Sequence, residues 1–522
     1  MRIHLLLIAL IYSFMELPAQ DLLPKREFRA AWVATVANID YPRQGTPNAI
    51  AHQEQWKKLL EQYKSMGLNA VIVQVRPAAD ALYPSDLAPW SRYLTGKQGS
   101  APEPMYDPLK FMIDESHKMG FEFHAWFNPY RATVDLDTIS LAPNHAFRLH
   151  RNWMVRYGTR FYFNPALPQV RQHVVDVVTE VVEKYDVDAI HFDDYFYPYK
   201  IQGEDFPDSL DYYRYGSRFS SIEDWRRSNV DSLIERVHTR IRDIKPHVQF
   251  GISPFGVWRN KDKDPTGSNT RAGATCYDDL YADILKWLRL GWIDYVIPQL
   301  YWNIGFPPAD HATLLNWWST RSFERNLYIG HAAYKVQNNP EAAWSDPNET
   351  PRQIQLNRRN PVSKGSAYFS SRSLIDNRLG LRDSLAVYYQ MPALLPIPPD
   401  ATLKAPEAPR LGWTYYKKRS GEVKLRWRFA KADKAAPPAY YVVYRFYSTK
   451  IGNLEDPEEI LHITPFFEKK KRFSYTDQPG ATGNNYTYTV TAVNRQHIES
   501  RPAKARTIKT PRLNQTSDYI LP

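Results

Sequence analysis

Cysteine is all but missing from this chain: Cys276 is the one thiol in 522 residues. A single thiol forms no internal disulfide, so nothing staples the fold. Long apolar runs are as scarce. Leu5 to Phe14, behind Arg2 and ahead of Leu17-Pro18-Ala19, stands alone. It reads as a secretory signal peptide over residues 1–19, too short to span a bilayer. No second run exists, so a soluble mature protein without a transmembrane segment is expected. No cysteine follows the apolar stretch, which excludes a lipid anchor there. An exported chain of this length without disulfides fits a bacterial periplasm or cell surface. Paired metal-ligand spacing is lacking too: His117, His124, His191 and His331 fall on different elements, and no metal or other cofactor is expected.

What is present is aromatic and basic. Fifteen Trp, 35 Tyr and 23 Phe accompany a formal charge of +11. Apolar residues make up 43% and charged residues 24%, the balance of a globular protein. Aromatics at this level suit a large core and also clefts that stack on sugar rings. Behind an export signal, the positive charge fits an anionic polysaccharide or cell-wall partner better than nucleic acid. The Lys and Arg residues are scattered, which weakens both readings.

Short apolar strands alternate with helices along most of the chain. The strands read as Phe28–Val36, Asn69–Val75, Phe121–Phe127, Ala189–Phe192, Val248–Ser253, Tyr295–Leu300, Leu327–Gly330 and Gly365–Phe369. Between them, apolar residues recur at helical spacing near 51–66, 108–119, 165–182, 224–244, 278–288, 309–319 and 351–360. Asp107-Pro108 is a capped helix start and Gly120 a stop. Eight such units predict a closed (β/α)8 barrel over residues 26–390. The rival, a doubly wound sheet, wants a glycine-rich turn after strand one. Asn38, Asp40 and Tyr41 stand there instead. Residues 391–406 are proline-rich and predict a stiff spacer. Val423–Trp427 and Thr487–Val493 then alternate with period two, predicting a small all-β sandwich over 407–509 and a tail over 510–522. The barrel is expected to fold without the sandwich.

The stretch Ala189-Ile190-His191-Phe192-Asp193-Asp194-Tyr195-Phe196-Tyr197-Pro198 organises the chain. A buried strand holds Ile190 and Phe192 readily but not two ionised carboxylates, so the pair marks the strand's end. In a barrel that end is the face where chemistry sits. Strict alternation points only one of the two neighbours inward. The other has to turn in beyond the strand.

Three segments carry a family resemblance: Phe28-Arg29-Ala30-Ala31-Trp32-Val33-Ala34-Thr35, Ile190 to Pro198, and Pro298-Gln299-Leu300-Tyr301-Trp302. In that order they resemble the glycosyl-hydrolase-like 10 family, bacterial cell-envelope barrels, over roughly residues 26–385. The C-terminal part is similar to a fibronectin type III domain. The resemblance implies a secreted glycoside hydrolase acting on an N-acetylhexosamine-containing glycan, with peptide-free peptidoglycan strands as the leading substrate. Two other readings stay open: a carbohydrate-binding barrel without hydrolysis, and a glycosidase for a non-acetylated polysaccharide.

Glycosidic cleavage needs a proton for the leaving oxygen and charge stabilisation at the ring. Asp193 and Asp194 are the best carboxylate pair for that, and adjacent aspartates at the end of strand four also resemble the pair of the family 84 N-acetylglucosaminidases. That likeness implies a substrate-assisted retaining reaction. The first Asp holds the acetamido group and the second is acid/base, while the substrate's own carbonyl is the nucleophile. Substrate-binding candidates come from other strand ends: Asp40, Gln74, Arg76, Asp80, Trp126, Asn128, Tyr195, Tyr197, Trp258, Gln299, Tyr301 and Trp302. Asp40 doubles as a third carboxylate. Arg76 has two readings, a grip on an anionic sugar substituent or a neutraliser of Asp80. A cation on His191, Asp193 and Asp194 is the remaining alternative and would point to a metal-assisted hydrolase.

Overall fold

A computed structural model describes residues 23–430, 437–467, 470–479 and 483–511. The expected signal peptide lies outside these residues, as does most of the tail. Eight parallel strands close a barrel: β1 (Phe28–Val33), β2 (Ala70–Arg76), β3 (Glu122–Phe127), β6 (Ala189–Phe192), β7 (Gln249–Ile252), β8 (Tyr295–Val296), β9 (Asn326–His331) and β10 (Ser363–Tyr368). Chain order is also spatial order, and β10 closes on β1 through Phe28↔Gly365 to Ala31↔Tyr368.

Alternation sorts the side chains into two cores. On β3, Phe123, Ala125 and Phe127 pack outward against the helices, while Trp126 joins Phe28, Trp32, Ile72 and Tyr295 inside the barrel. The helices form where the spacing predicts them, and their ends follow local chemistry. Asp107 caps Pro108–Met119 by accepting from the Lys110 N–H at 3.0 Å, and Gly120 ends that helix at φ +83°, a conformation that suits glycine.

Several elements differ from the sequence expectation. The helix expected from 165 starts at Pro168, because Asn164 turns back to accept from the Ala166 N–H at 3.1 Å. The helix expected over 278–288 is two pieces, Cys276–Asp279 and Ile284–Leu290, capped by Thr275 and Asp283. β8 is only two residues long; Pro298 offers no N–H to carry the ladder further. An unanticipated hairpin, β4 (Met154–Tyr157) and β5 (Arg160–Phe163), turns at Gly158 inside the loop after β3.

Residues 391–395 run against the base of the barrel. The Glu27 N–H donates to the Leu394 carbonyl, and the Leu394 N–H donates to that of Lys25, both at 2.9 Å. Beyond them two antiparallel sheets pack face to face. One contains β11 (Arg410–Leu411), β12 (Tyr415–Lys417), β13 (Glu422–Arg428) and β16 (Phe473–Asp477). The other runs β15 (Ile460–Pro465), β14 (Tyr440–Phe446), β17 (Asn485–Val493) and β18 (Arg506–Lys509).

Candidate active site

The carboxyl ends of the barrel strands surround a cavity of about 430 Å³. Asp193 and Asp194 lie in its wall, only 6% and 5% exposed. Asp193 continues the inward series Ala189, His191, Asp193 of β6. Asp194 reaches the same cavity because the chain bends beyond the strand: the Phe196 N–H closes back on the Asp194 carbonyl at 3.1 Å. The bend brings in the neighbour that strict alternation would have pointed away.

Each carboxylate has its own donors. Asp193 Oδ2 accepts from the Asn128 amide and from Trp126 Nε1 at 3.2 Å. Its Oδ1 accepts from the Tyr195 N–H at 3.1 Å. Asp194 accepts a short hydrogen bond from the Tyr199 hydroxyl and one from Gln299 Nε2 at 3.3 Å. Gln299 also donates to the Ser253 carbonyl at 2.9 Å, and Asn128 is held in turn by the Gln74 amide. Gln74 Oε1 accepts from the Thr35 and Val36 N–H groups, both at 2.9 Å. A relay thus runs from the end of β1 through β2 and β3 to Asp193.

Burial pushes both carboxyls above the ordinary aspartate range. The charge of Asp194 adds to the rise at Asp193, while the Tyr199 hydrogen bond opposes it at Asp194. A pair raised this way retains a proton to higher pH than a solvated aspartate, which is what a general acid requires. Arg131 lies in the same wall, 5.0 Å over the Tyr195 ring, and its charge favours the ionised form of each carboxyl. Beneath the pair, neutral His191 is packed against Ser253 Oγ at 2.9 Å and the Tyr295 hydroxyl at 3.1 Å; burial drives its pKa well down.

The rest of the wall is aromatic. Tyr301 stacks near Phe369 at 6.2 Å and meets Tyr334 edge-on at 5.8 Å. Trp302 meets Phe255 edge-on at 5.4 Å, and Trp32 closes the floor. Rings flanking a carboxylate pair are suited to hold a pyranose by its C–H faces while the acids work on its substituents.

Of the residues singled out in the sequence, Gln74, Trp126, Asp193, Asp194, Tyr195, Gln299, Tyr301 and Trp302 meet at this cavity. Asn128 stands just behind it on Asp193. The others lie elsewhere. Asp40 ties the end of β1 to the chain beyond β10: it accepts from the Ala34 N–H at 2.7 Å, the Ser370 hydroxyl at 2.8 Å and the Arg372 N–H at 2.7 Å. A register shift at the end of β2 pairs Gln74 with Trp126 but Arg76 with Phe127, so Arg76 follows the outward row. It ends 3.3 Å from His173. Asp80 goes with it, accepting from the Ala78 N–H at 3.1 Å and from Gln98 at 3.4 Å. Tyr197 is buried between Phe206 and Tyr281, and Trp258 between Tyr277 and Trp317.

Trp32, Arg131, Tyr199, Phe255, Tyr334, Lys335 and Phe369 line the cavity and were not anticipated. All but Trp32, which lies inside β1, follow the ends of barrel strands, the one signal that marks them. Among the described residues no group of three or more His, Cys, Asp or Glu side chains is arranged to hold a metal ion.

Residues 27–346 match the glycosyl hydrolase-like 10 family. The chain belongs to that family. It is similar to the glycosyl hydrolase YngK of Bacillus subtilis strain 168, 45% identical over 487 residues that cover 92% of this chain and 93% of that one. It is also similar to the glycosyl hydrolase DigH of Escherichia coli K12, 39% identical over 375 residues, 67% of this chain and 84% of that one. A more distant likeness is to the solved PgaB (BpsB) glycoside hydrolase domain from Bordetella bronchiseptica, with 13% identity and a TM-score of 0.45 over 69% of this chain and 99% of that one. Membership of the glycosyl hydrolase-like 10 family carries the reaction class, hydrolysis of O-glycosidic bonds. Asp193, Asp194 and all of the cavity's lining residues but Phe369 lie within the matched segment.

Proposed function

We propose that this protein is an exported glycoside hydrolase that cuts N-acetylhexosamine-containing bacterial glycan, with peptide-free peptidoglycan strands as its substrate. The observation that carries the reading is the cavity lining: its carboxylates are Asp193 and Asp194, and no third is among the described residues there. Direct displacement at a sugar needs two carboxyls that flank the scissile bond. Chain neighbours at one strand end approach from one side. That arrangement suits a reaction in which the substrate's own acetamido oxygen attacks the anomeric carbon. Asp194 then gives a proton to the leaving oxygen and later takes one from water. Asp193, held by three N–H donors, orients the acetamido group and stabilises the positive charge that develops on it. Arg131 and Lys335 in the wall favour a sugar bearing a carboxylate, as the peptide-free strands do.

Purified protein is incubated with peptide-free peptidoglycan strands and, separately, with chitin oligomers. New reducing ends and product masses one N-acetylhexosamine repeat apart are expected from the first, and activity is expected to survive chelator. Binding without new reducing ends sinks the hydrolase reading. Full loss of activity with chelator would bring back a cation at Asp193 and Asp194.

A further inference from the structure

The sandwich carries a surface that the barrel chemistry does not use. On β13 the residues alternate between buried Val423, Leu425 and Trp427 and outward Lys424, Arg426 and Arg428. Residues paired across strands share a face. Arg410 of β11 stands opposite Arg428, and Tyr415 of β12 opposite Lys424. On the other edge, Ser474 and Thr476 of β16 stand opposite Arg426 and Lys424. The outer face of this sheet is therefore a row of cations flanked by hydroxyls and one tyrosine. Its one strand carboxylate, Glu422, is taken by Lys417 at 2.9 Å. Among the described residues, Arg410, Lys424, Arg426 and Arg428 have no ion-pair partner. Like charges directly opposite, as at Arg410 and Arg428, cost stability, and among the described residues no carboxylate neutralises them. Beside the face, Trp413 is 87% exposed and Tyr415 is 40% exposed.

We propose that this sheet face is a second glycan site, and that its occupant is a carboxylated polysaccharide. Alternate residues of a strand stand about 6–7 Å apart, so Lys424, Arg426 and Arg428 form a ladder along which a linear polyanion can lie. Charge complementarity selects an acidic chain, and the exposed rings add stacking on sugar faces. The choice of glycan over other polyanions rests on the reading of the barrel as a glycan hydrolase. The site holds a long strand to the molecule while the cavity works on another part of it, raising the local concentration of bonds to cut.

The test uses the full chain with Asp194→Asn, so that no probe is consumed, and compares it with the same chain carrying Arg426→Glu and Arg428→Glu. Affinity electrophoresis is run against four probes: peptide-free peptidoglycan strands, the same strands with carboxylates converted to methyl amides, single-stranded RNA, and vesicles of anionic phospholipid. The carboxylated strands are expected to bind, more weakly as salt rises. The double charge reversal is expected to weaken that binding by about tenfold or more. Equal binding by the reversed variant overturns the proposal, as does equal binding of the amidated strands or tighter binding of RNA or vesicles through the same residues. With Asp194 intact, the charge reversals are expected to leave hydrolysis of a small aryl N-acetylglycoside unchanged, which shows that the barrel folds, and the near-UV circular dichroism and melting profile of the full chain are expected to be unchanged, which shows that the sandwich does. A chain that hydrolyses nothing yet needs Arg426 and Arg428 to hold carboxylated strands keeps this proposal and loses the hydrolase reading.

Discussion

Asp193 and Asp194 share a cavity, yet their surroundings separate their tasks. Asp193 is fixed by the Asn128, Trp126 and Tyr195 donors, while Asp194 meets a hydroxyl and a more distant amide. Asp194→Asn is expected to lose the general acid, a factor of roughly 10²–10⁴ in rate on a natural oligosaccharide, with a smaller loss on an aryl glycoside whose leaving group needs little protonation. Asp193→Asn is expected to slow both substrates alike, because it acts on acetamido attack. Rates of the two variants on both substrates decide the assignment, and rescue of Asp193→Asn by the better leaving group reverses it. Tyr199 gives a second handle. Its hydroxyl favours ionised Asp194 against the burial that raises that carboxyl. Tyr199→Phe removes the donor and raises the pKa further. A general acid works only while protonated, so the alkaline limb of kcat/KM is expected to move to higher pH. A shift of the acid limb instead would place the hydroxyl's influence on the ionised partner.

Between elements, the seam where β10 closes on β1 depends on Asp40. Its carboxylate gathers two backbone N–H groups and one hydroxyl from both sides of the seam. Asp40→Ala leaves these buried donors unpaired and is expected to cost about 3 kcal/mol or more of unfolding free energy. Urea titration measures that loss. Burial raises this carboxyl from 3.8 to about 6, against the hydrogen bonds that lower it. A raised folded-state pKa means that the native state holds the proton more tightly than the unfolded chain. Its stabilising contribution is full below about pH 4 and fades as pH rises through about 6. Asp40→Asn, which cannot titrate, is expected to lose that fading; melting temperatures at pH 4.5 and 7 compare the two. Were Asp40 a nucleophile, Asp40→Asn would abolish turnover in protein that is still folded.

At the scale of the molecule, the sandwich is docked on the base of the barrel. His497 Nε2 stands 2.8 Å from Glu122 Oε1, Lys25 bonds Glu499 at 2.8 Å, and Arg495 forks onto Asp186. Leu394, from the proline-rich stretch, packs with Val442, Tyr444 and Ile460 of the sandwich. Burial raises the Glu122 carboxyl, but His497 and His124 outweigh it and hold the group well below the usual range. Such a depressed carboxylate stabilises the fold at neutral pH, and the benefit is lost as pH falls through its folded pKa. A chain ending at residue 395 loses His497, uncovers Leu394 and leaves Glu122 with one of its two histidines. It is expected to melt several degrees lower than the full chain and to associate at the uncovered base. Calorimetry and light scattering of the two chains check this. An unchanged melting temperature would make the sandwich a free appendage.

Local pattern alone determined a good deal. Short apolar runs placed eight strands and helical spacing placed most helices, because barrel strands are buried on both faces while a helix buries one. Two carboxylates after an apolar run marked a strand's mouth, because ionised groups are not buried unpaired. Trp126 and Asn128 stood out as polar-ended side chains at the end of another strand, and both reach Asp193. Tertiary structure decided the rest. One extra residue in the pairing of β2 turned Arg76 and Asp80 away from the cavity, a difference of register that no local pattern encodes. A bend after Phe192 brought Asp194 in beside Asp193. Tyr195, Tyr197 and Tyr199 look alike in the sequence, yet the loop buries Tyr197 among other rings and puts Tyr199 on Asp194. Asp40 was a carboxylate at a strand end like the others until the closing of β10 on β1 supplied its three donors. Side-chain type and spacing are properties of the chain; the partner that consumes or frees each group is set by strands hundreds of residues away.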